Sequence, residues 1–299
     1  MKVIVYCLVT ALAFFSLVGR TQVISKNKPI ISKNIPINNF DSLDIQGPIN
    51  VYIDATLTHP YLQILGNQRR VSAVTCREKN HTLYLGTKPI YRSEPGERLT
   101  ILVNTTPAQI KQIRFNSNGS LFGKGLAGSL SLHAQGEGQI NLYTNQLNLK
   151  SIYSNGNKNI IFHNLLSTNL EIEAHNSHNI IIQGIISLNK IYSTGNGNLI
   201  VYWVNSPYLW INANGKEKIS LAGTAKILDV KLSQYTRLNA RQLRAQQGFV
   251  QTKNHAQAIV NVRNSLSAFA KDKSVIYYSS PINFMNNYTE NLGLILNKN

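Results

Sequence analysis

With 299 residues, 43% hydrophobic and only 14% charged, the chain can bury one continuous core and has no long stretch with the composition of a disordered segment. Lys and Arg number 30 against 13 Asp and Glu, a formal net charge of +17 that favours anionic partners and leaves few carboxylates for acid–base chemistry. With only two cysteines, Cys7 and Cys76, and Cys7 inside an apolar leader, a processed chain has neither an internal disulfide nor a paired-cysteine metal site.

Residues 1–20 read as a signal peptide: one Lys, then an apolar run without charge until Arg20, too short for an ordinary membrane span. Cleavage between Gly19 and Gln22 is the expectation, and retention as an N-terminal anchor is the alternative. Cys7 stands too early, with the wrong preceding residues, for lipidation. Residues 21–38 read as a linker, since Ile-Ser-Lys-Asn occurs at 24–27 and again at 31–34 with Pro29 and Pro36 between.

Residues 39–110 read as an N-terminal β cap. Alternation begins at Leu43 and Ile45, continues through Ile49, Val51 and Ile53, and returns at Leu62, Ile64 and Leu83 to Leu85, with a turn at Glu78 to His81. No longer period is present here, so hairpins or a capping sheet are expected rather than coils. Cys76, beside an apolar strand, reads as a small buried hydrophobe.

Residues 111–280 carry the organising pattern. Gly136, Gly156, Asn176, Gly195, Gly215, Gln234 and Asn254 recur every 19 or 20 residues, and Gly and Asn tolerate a left-handed corner. Four residues before each corner stand Leu132, Ile152, Ile172, Ile191, Ile211, Val230 and Val250; four after it stand Ile140, Ile160, Ile180, Leu199, Ile219, Leu238 and Ala258. A third apolar column, from Leu142 and Phe162 to Val260, follows two residues later at strand period. Small residues (Ala134, Ser154, Ala174, Ser193, Ala213) precede the corners by two. A unit this short, with strands and no helix, cannot bury its own inner face, so the pattern predicts an all-β fold: a single-stranded parallel β-helix, or β-solenoid, with a β-hairpin-like N-terminal cap. A leucine-rich repeat is the rival, because Leu170-Glu171-Ile172 before Asn176 mimics its strand. It would want a helical turn where Asn179 to Ile182 and Asn198 to Val201 are instead β-branched. Residues 281–299 read as a C-terminal cap or tail.

Phe40-Asp41-Ser42-Leu43-Asp44-Ile45-Gln46-Gly47-Pro48-Ile49-Asn50-Val51-Tyr52-Ile53 resembles the opening of the head GIN domain family, extracytoplasmic bacterial proteins described as auto-transporter adhesins. Leu99 to Pro107 is similar to that family's strand before the first coil, and Ile276 to Gly293 to its closing segment. The resemblance implies a right-handed winding, a cell-envelope location and no established catalytic residues. The basicity and the abundance of Asn depart from it.

Catalysis on such a fold would take the form of a polysaccharide lyase or glycosidase, which needs clustered acids. The coils offer only Glu137, Glu171, Glu173, Glu217 and Asp229, and a solvated edge accounts for Glu171 and Glu173. His133, His163, His175 and His178 fall on different columns with no carboxylate or cysteine to complete a set, so no metal and no cofactor is expected. Gly136-Glu137-Gly138 and Gly195-Asn196-Gly197 are repeat corners rather than phosphate loops.

Much of the basic charge lies on the later coils, and Lys216, Lys218, Lys231, Arg237, Arg241 and Arg244 form a candidate basic face. Such a face suits an acidic glycan, lipopolysaccharide or an envelope protein; no nucleic-acid module occurs. With the apolar columns turned inward, Ile161, Ile181 and Ile200 must face outward, near Tyr153, Tyr192 and Tyr202. That is either a ladder covered by a loop or chain end, or a contact surface for a partner or a second copy. The resulting expectation is an exported, non-catalytic, adhesin-like binding or scaffolding protein. A β-helix enzyme and a purely structural envelope subunit are the alternatives.

Overall fold

A computed structural model describes residues 30–88, 99–156, 159–175, 179–279 and 281–298. The expected signal peptide, most of the linker, Asn176 and His178 lie outside the described residues. All strands join one 20-stranded sheet wound into a parallel β-solenoid.

The apolar columns pile up in register. Leu132 pairs with Ile152, Ile152 with Ile172, Ile172 with Ile191, and the stack runs on through Ile211 and Val230 to Val250. Each of these side chains is at most 1% exposed. On the next side of the coil, Ile140, Ile160, Ile180, Leu199, Ile219, Leu238, Ala258 and Ile276 form a second continuous column. Rungs follow one another at about 4.8 Å, and each inward Ile or Leu contributes about 1.5–3 kcal/mol on burial. Stability therefore accumulates along the stack rather than residing in any one coil.

Each coil has three arms. The first carries the Ile152–Ile172–Ile191 column and ends at the Gly-rich corner, where Gly136 has φ 87°, Gln234 59° and Asn254 64°. The second carries the Ile160–Ile180–Leu199 column. A second corner then leads to a short third arm that buries Leu165, Ile186 and Val204. This second corner also needs positive φ, at Gln146, Asn164, Gly184, Trp203 and Gly223, a recurrence that the first-corner spacing does not reveal.

The N-terminal end is built out of chain order. Strands β2 (Ser42–Gln46) and β3 (Ile49–Asp54) turn about Gly47, φ 82°, to make a coil. The chain then passes through β4 (Tyr61–Gly66), α1 (Gln68–Val71) and β5 (Val74–Lys79), and returns with β6 (Thr82–Thr87) and β7 (Leu99–Asn104) paired parallel on one side of that coil. Finally β8 (Gln112–Asn116) and β9 (Ser120–Leu126) pair parallel on its other side. One rung is therefore sandwiched between segments that follow it, which hides the period from a linear reading. Beyond it, β4 runs antiparallel on β7, β1 (Ile31–Pro36) antiparallel on β4, and β5 antiparallel on β6 through a turn with positive φ at Asn80 and His81. These antiparallel strands occupy edges that would otherwise remain open. Asp54 ties the first coil to β9 through Lys124 at 2.8 Å. Burial would raise its carboxyl, but the bonds from Lys124 and Thr56 outweigh that and hold it low. Cys76 is half-buried against the core, and burial, followed by Glu78, raises its thiol so that it stays protonated.

At the other end, β18 (Val275–Tyr278) and β20 (Leu294–Asn297) extend the second arm and β19 (Phe284–Glu290) the first.

Candidate functional site

Side chains that face out of a stacked coil form columns of their own, and the arm on which a residue falls decides its neighbours. On the second arm, Ile161, Ile181 and Ile200 stand in register, flanked by Asn141 on one rung and Ser220 on another. All three are half-buried by their column neighbours. Tyr202 aligns with Gln183 at the far end of the same arm and is 41% exposed. Tyr153 and Tyr192 are elsewhere: they lie on the first arm, in register with Glu173 between them. There His133 stacks on Tyr153 at 4.4 Å, and burial followed by Arg114 lowers its pKa, keeping it neutral. His175 bonds Glu173 at 2.9 Å. The six residues expected to form one contact surface thus divide between two arms.

The six expected basic residues divide as well. Lys216, Lys218 and Arg237 come together with Tyr235 around a depression of about 490 Å³ at the first corner. Lys231 is in register with Asn212 and Gln251 on the first arm. Arg241 follows the second arm, and Arg244 lies on the third.

Beneath the first-corner cluster, Glu217 is wholly buried. One of its carboxylate oxygens accepts from the Gly197 N–H at 3.3 Å, while the hydroxyl of Thr236 has no hydrogen-bond partner among the described residues. Burial raises the carboxyl, and the nearby Ser193 hydroxyl and Gly197 N–H offset this only in part.

The larger depression is an open groove of about 730 Å³ along the third arm. Leu166 aligns with Ile185 in one of its columns, and Asn205 with Thr224 and Arg244 in a second, two residues further along the arm. Thr168, Ser187, Pro207, Lys226 and Gln246 line it as well, and Arg263 closes it. Its early rungs carry Leu166 and Ile185 beside Thr168 and Ser187, and its late rungs are basic. Among the described residues no carboxylate lines it, so Lys226, Arg244 and Arg263 face it without local neutralisation. An anion of comparable reach would therefore meet three cations on successive rungs.

Trp203 stands beside the apolar end. It precedes Val204, which pairs with Ile186, so it lies one rung beyond Ile185. The indole is 71% exposed, and its backbone holds φ 64° in a column otherwise filled by Gly, Asn or Gln. A bulky residue in that conformation costs about 1–3 kcal/mol. Lys226, Arg263, Trp203 and Glu217 are the features that the candidate surfaces omitted. Gly184 and Gly223 at the second corner are the partial signal for the third arm and its groove, interrupted by Trp203 between them.

Among the described residues no group of three His, Cys, Asp or Glu is placed to hold a metal ion, and no helix is long and apolar enough to cross a membrane.

The sequence profile of a family described as "Putative auto-transporter adhesin, head GIN domain" matches residues 39–184 and again residues 143–281. Two overlapping matches are what a repeating coil produces. Among solved structures, a "putative lipid binding protein" from Parabacteroides distasonis is 14% identical, with 91% of this chain and 98% of that one covered and a TM-score of 0.47. A "putative adhesin" from Parabacteroides merdae is 16% identical with the same coverage and a TM-score of 0.43. Another from Bacteroides fragilis is 17% identical, again over 91% and 98%, with a TM-score of 0.32. No protein of curated function matches the chain in sequence.

Proposed function

The chain belongs to the head GIN domain family, and on that premise we propose that it is an exported, adhesin-like binding protein of the bacterial envelope that holds an acidic partner without chemically changing it. The observation that carries this reading is the groove of the third arm, where Lys226, Arg244 and Arg263 face solvent with no lining carboxylate among the described residues. Uncompensated cations held on a rigid sheet attract carboxylate, sulfate or phosphate groups at little ordering cost. The first-corner cluster of Lys216, Lys218 and Arg237 adds a second basic surface on the same coils. Acidic glycans, the anionic groups of lipopolysaccharide and acidic envelope proteins share the required chemistry.

Binding is favoured over hydrolysis or elimination by where the acids fall. Glu171 and Glu173 lie on the first arm, in register with Lys190 and Tyr192, and Glu217 is buried. A glycosidase would require a carboxylate pair facing the substrate groove. An array of acidic glycans probed at two salt concentrations tests the proposal. Salt-sensitive retention without product is expected, and depolymerised product would overturn it.

A further inference from the structure

The basic end of the groove calls for an anion, but its apolar end is left unexplained by a glycan. Leu166 and Ile185 align on successive rungs and Trp203 stands one rung beyond, with 41%, 61% and 71% of their surfaces exposed. Singly exposed apolar side chains are ordinary, whereas three on successive rungs, two of them lining a concavity and the third at its margin, mark a contact surface. Trp203 adds an independent reason: its backbone keeps a left-handed conformation, φ 64°, that an indole rarely adopts, yet the ring is turned out to water rather than packed.

Resting on the binding role proposed above, we infer that the groove takes a single-chain anionic amphiphile, with its alkyl chain over Leu166, Ile185 and Trp203 and its carboxylate or phosphate against Lys226, Arg244 and Arg263. The dimensions agree. Three rungs separate Leu166 from Lys226, about 14 Å at the spacing of stacked strands, a span that an extended dodecyl chain matches. Asn205 and Thr224, which approach each other at 3.3 Å, sit at the crossing from apolar to basic lining, where an ester or hydroxyl beside the head group would fall. The concavity of the groove favours one chain in solution over the flat surface of a bilayer. Complementarity is carried by side chains, since the third-arm strands from Leu166 to Arg244 already have neighbours on both sides and offer no open backbone edge.

The test titrates dodecanoate, below its micelle concentration, into full-length protein carrying Trp210→Phe, so that Trp203 is the sole indole. Saturable binding with a blue shift of Trp203 emission is expected. Dodecyl maltoside, which has the chain without the charge, should bind at least tenfold more weakly, and acetate should produce no shift. Ile185→Asn, polar but uncharged and at an exposed position, should weaken dodecanoate at least tenfold while retention of an acidic oligosaccharide is kept. Trp203→Gly, read by calorimetry, should weaken it too without loss of folding, since Gly relieves the backbone. The inference is overturned if dodecanoate does not saturate, if the uncharged analogue binds equally, if neither variant weakens binding, or if only phosphatidylglycerol vesicles bind. Loss of acidic-glycan retention with dodecanoate binding intact would count against the glycan-binding role and leave the amphiphile site standing.

Discussion

A β-carbon added at Gly223 would stand 2.0 Å from the carbonyl oxygen of Val204 on the adjoining rung. At Gly184 the equivalent approach, to the carbonyl oxygen of Leu165, is 2.2 Å. The second corner is therefore closed backbone against backbone, and its φ of 134° at Gly223 excludes an ordinary side chain as firmly as the contact does. Gly223→Ala should destabilise the protein by at least about 2 kcal/mol, measured by urea denaturation. Trp203→Gly in the same column should be neutral or raise stability by about 1 kcal/mol. A neutral Gly223→Ala would contradict the corner geometry.

Glu217 gives the fold a pH dependence of known sign. Its folded pKa is raised by burial, so relative to the unfolded chain it binds its proton more tightly. The stability it contributes is complete below the ordinary Glu range and is lost as pH rises through the raised folded value. Gln at this position keeps an acceptor for the Gly197 N–H and offers donors to the hydroxyls of Ser193 and Thr236. Glu217→Gln should match the wild type at pH 4 and exceed it by about 1–3 kcal/mol at pH 8. Equal denaturation midpoints at both pH values would sink this account of the buried carboxyl.

The inner and outer columns should respond in opposite ways. Ile172, buried between Ile152 and Ile191, should cost about 2–5 kcal/mol when changed to Ala. Ile181, half-buried on the outer face of the second arm, should tolerate Lys within about 1 kcal/mol. Thermal melts of the two variants check this directly. A collapse of Ile181→Lys would mean that another segment covers the outer isoleucines.

These contrasts also mark how far the sequence could be read. Ile152, Ile172 and Ile191 announce the first arm because their spacing follows a corner that recurs as Gly or Asn. The second corner uses Gln146, Asn164, Gly184, Trp203 and Gly223, and no shared side-chain type marks that column. Without it the third arm has no address, and Arg244 cannot be separated from Lys216 or Lys231, although the three face different sides of the coil. At the N-terminus, β2 and β3 pair with strands both from β6 and β7 and from β8 and β9, so a true rung lies in a region where adjacent sequence is not adjacent structure. The burial of Glu217 leaves no mark in the sequence, because a charged residue at a turn is usually solvated, whereas this one is enclosed by the tight first corner.

The binding claim stands on Lys226, Arg244 and Arg263, and one comparison addresses it most directly: retention of oligogalacturonate at low salt by the wild type and by Lys226→Ala/Arg244→Ala/Arg263→Ala, with melting temperature as the control for folding. The three side chains are exposed, so the variant should melt with the wild type while its retention falls at least tenfold and depends less steeply on salt. Undiminished, salt-sensitive retention by the folded triple variant would contradict the assignment of the groove.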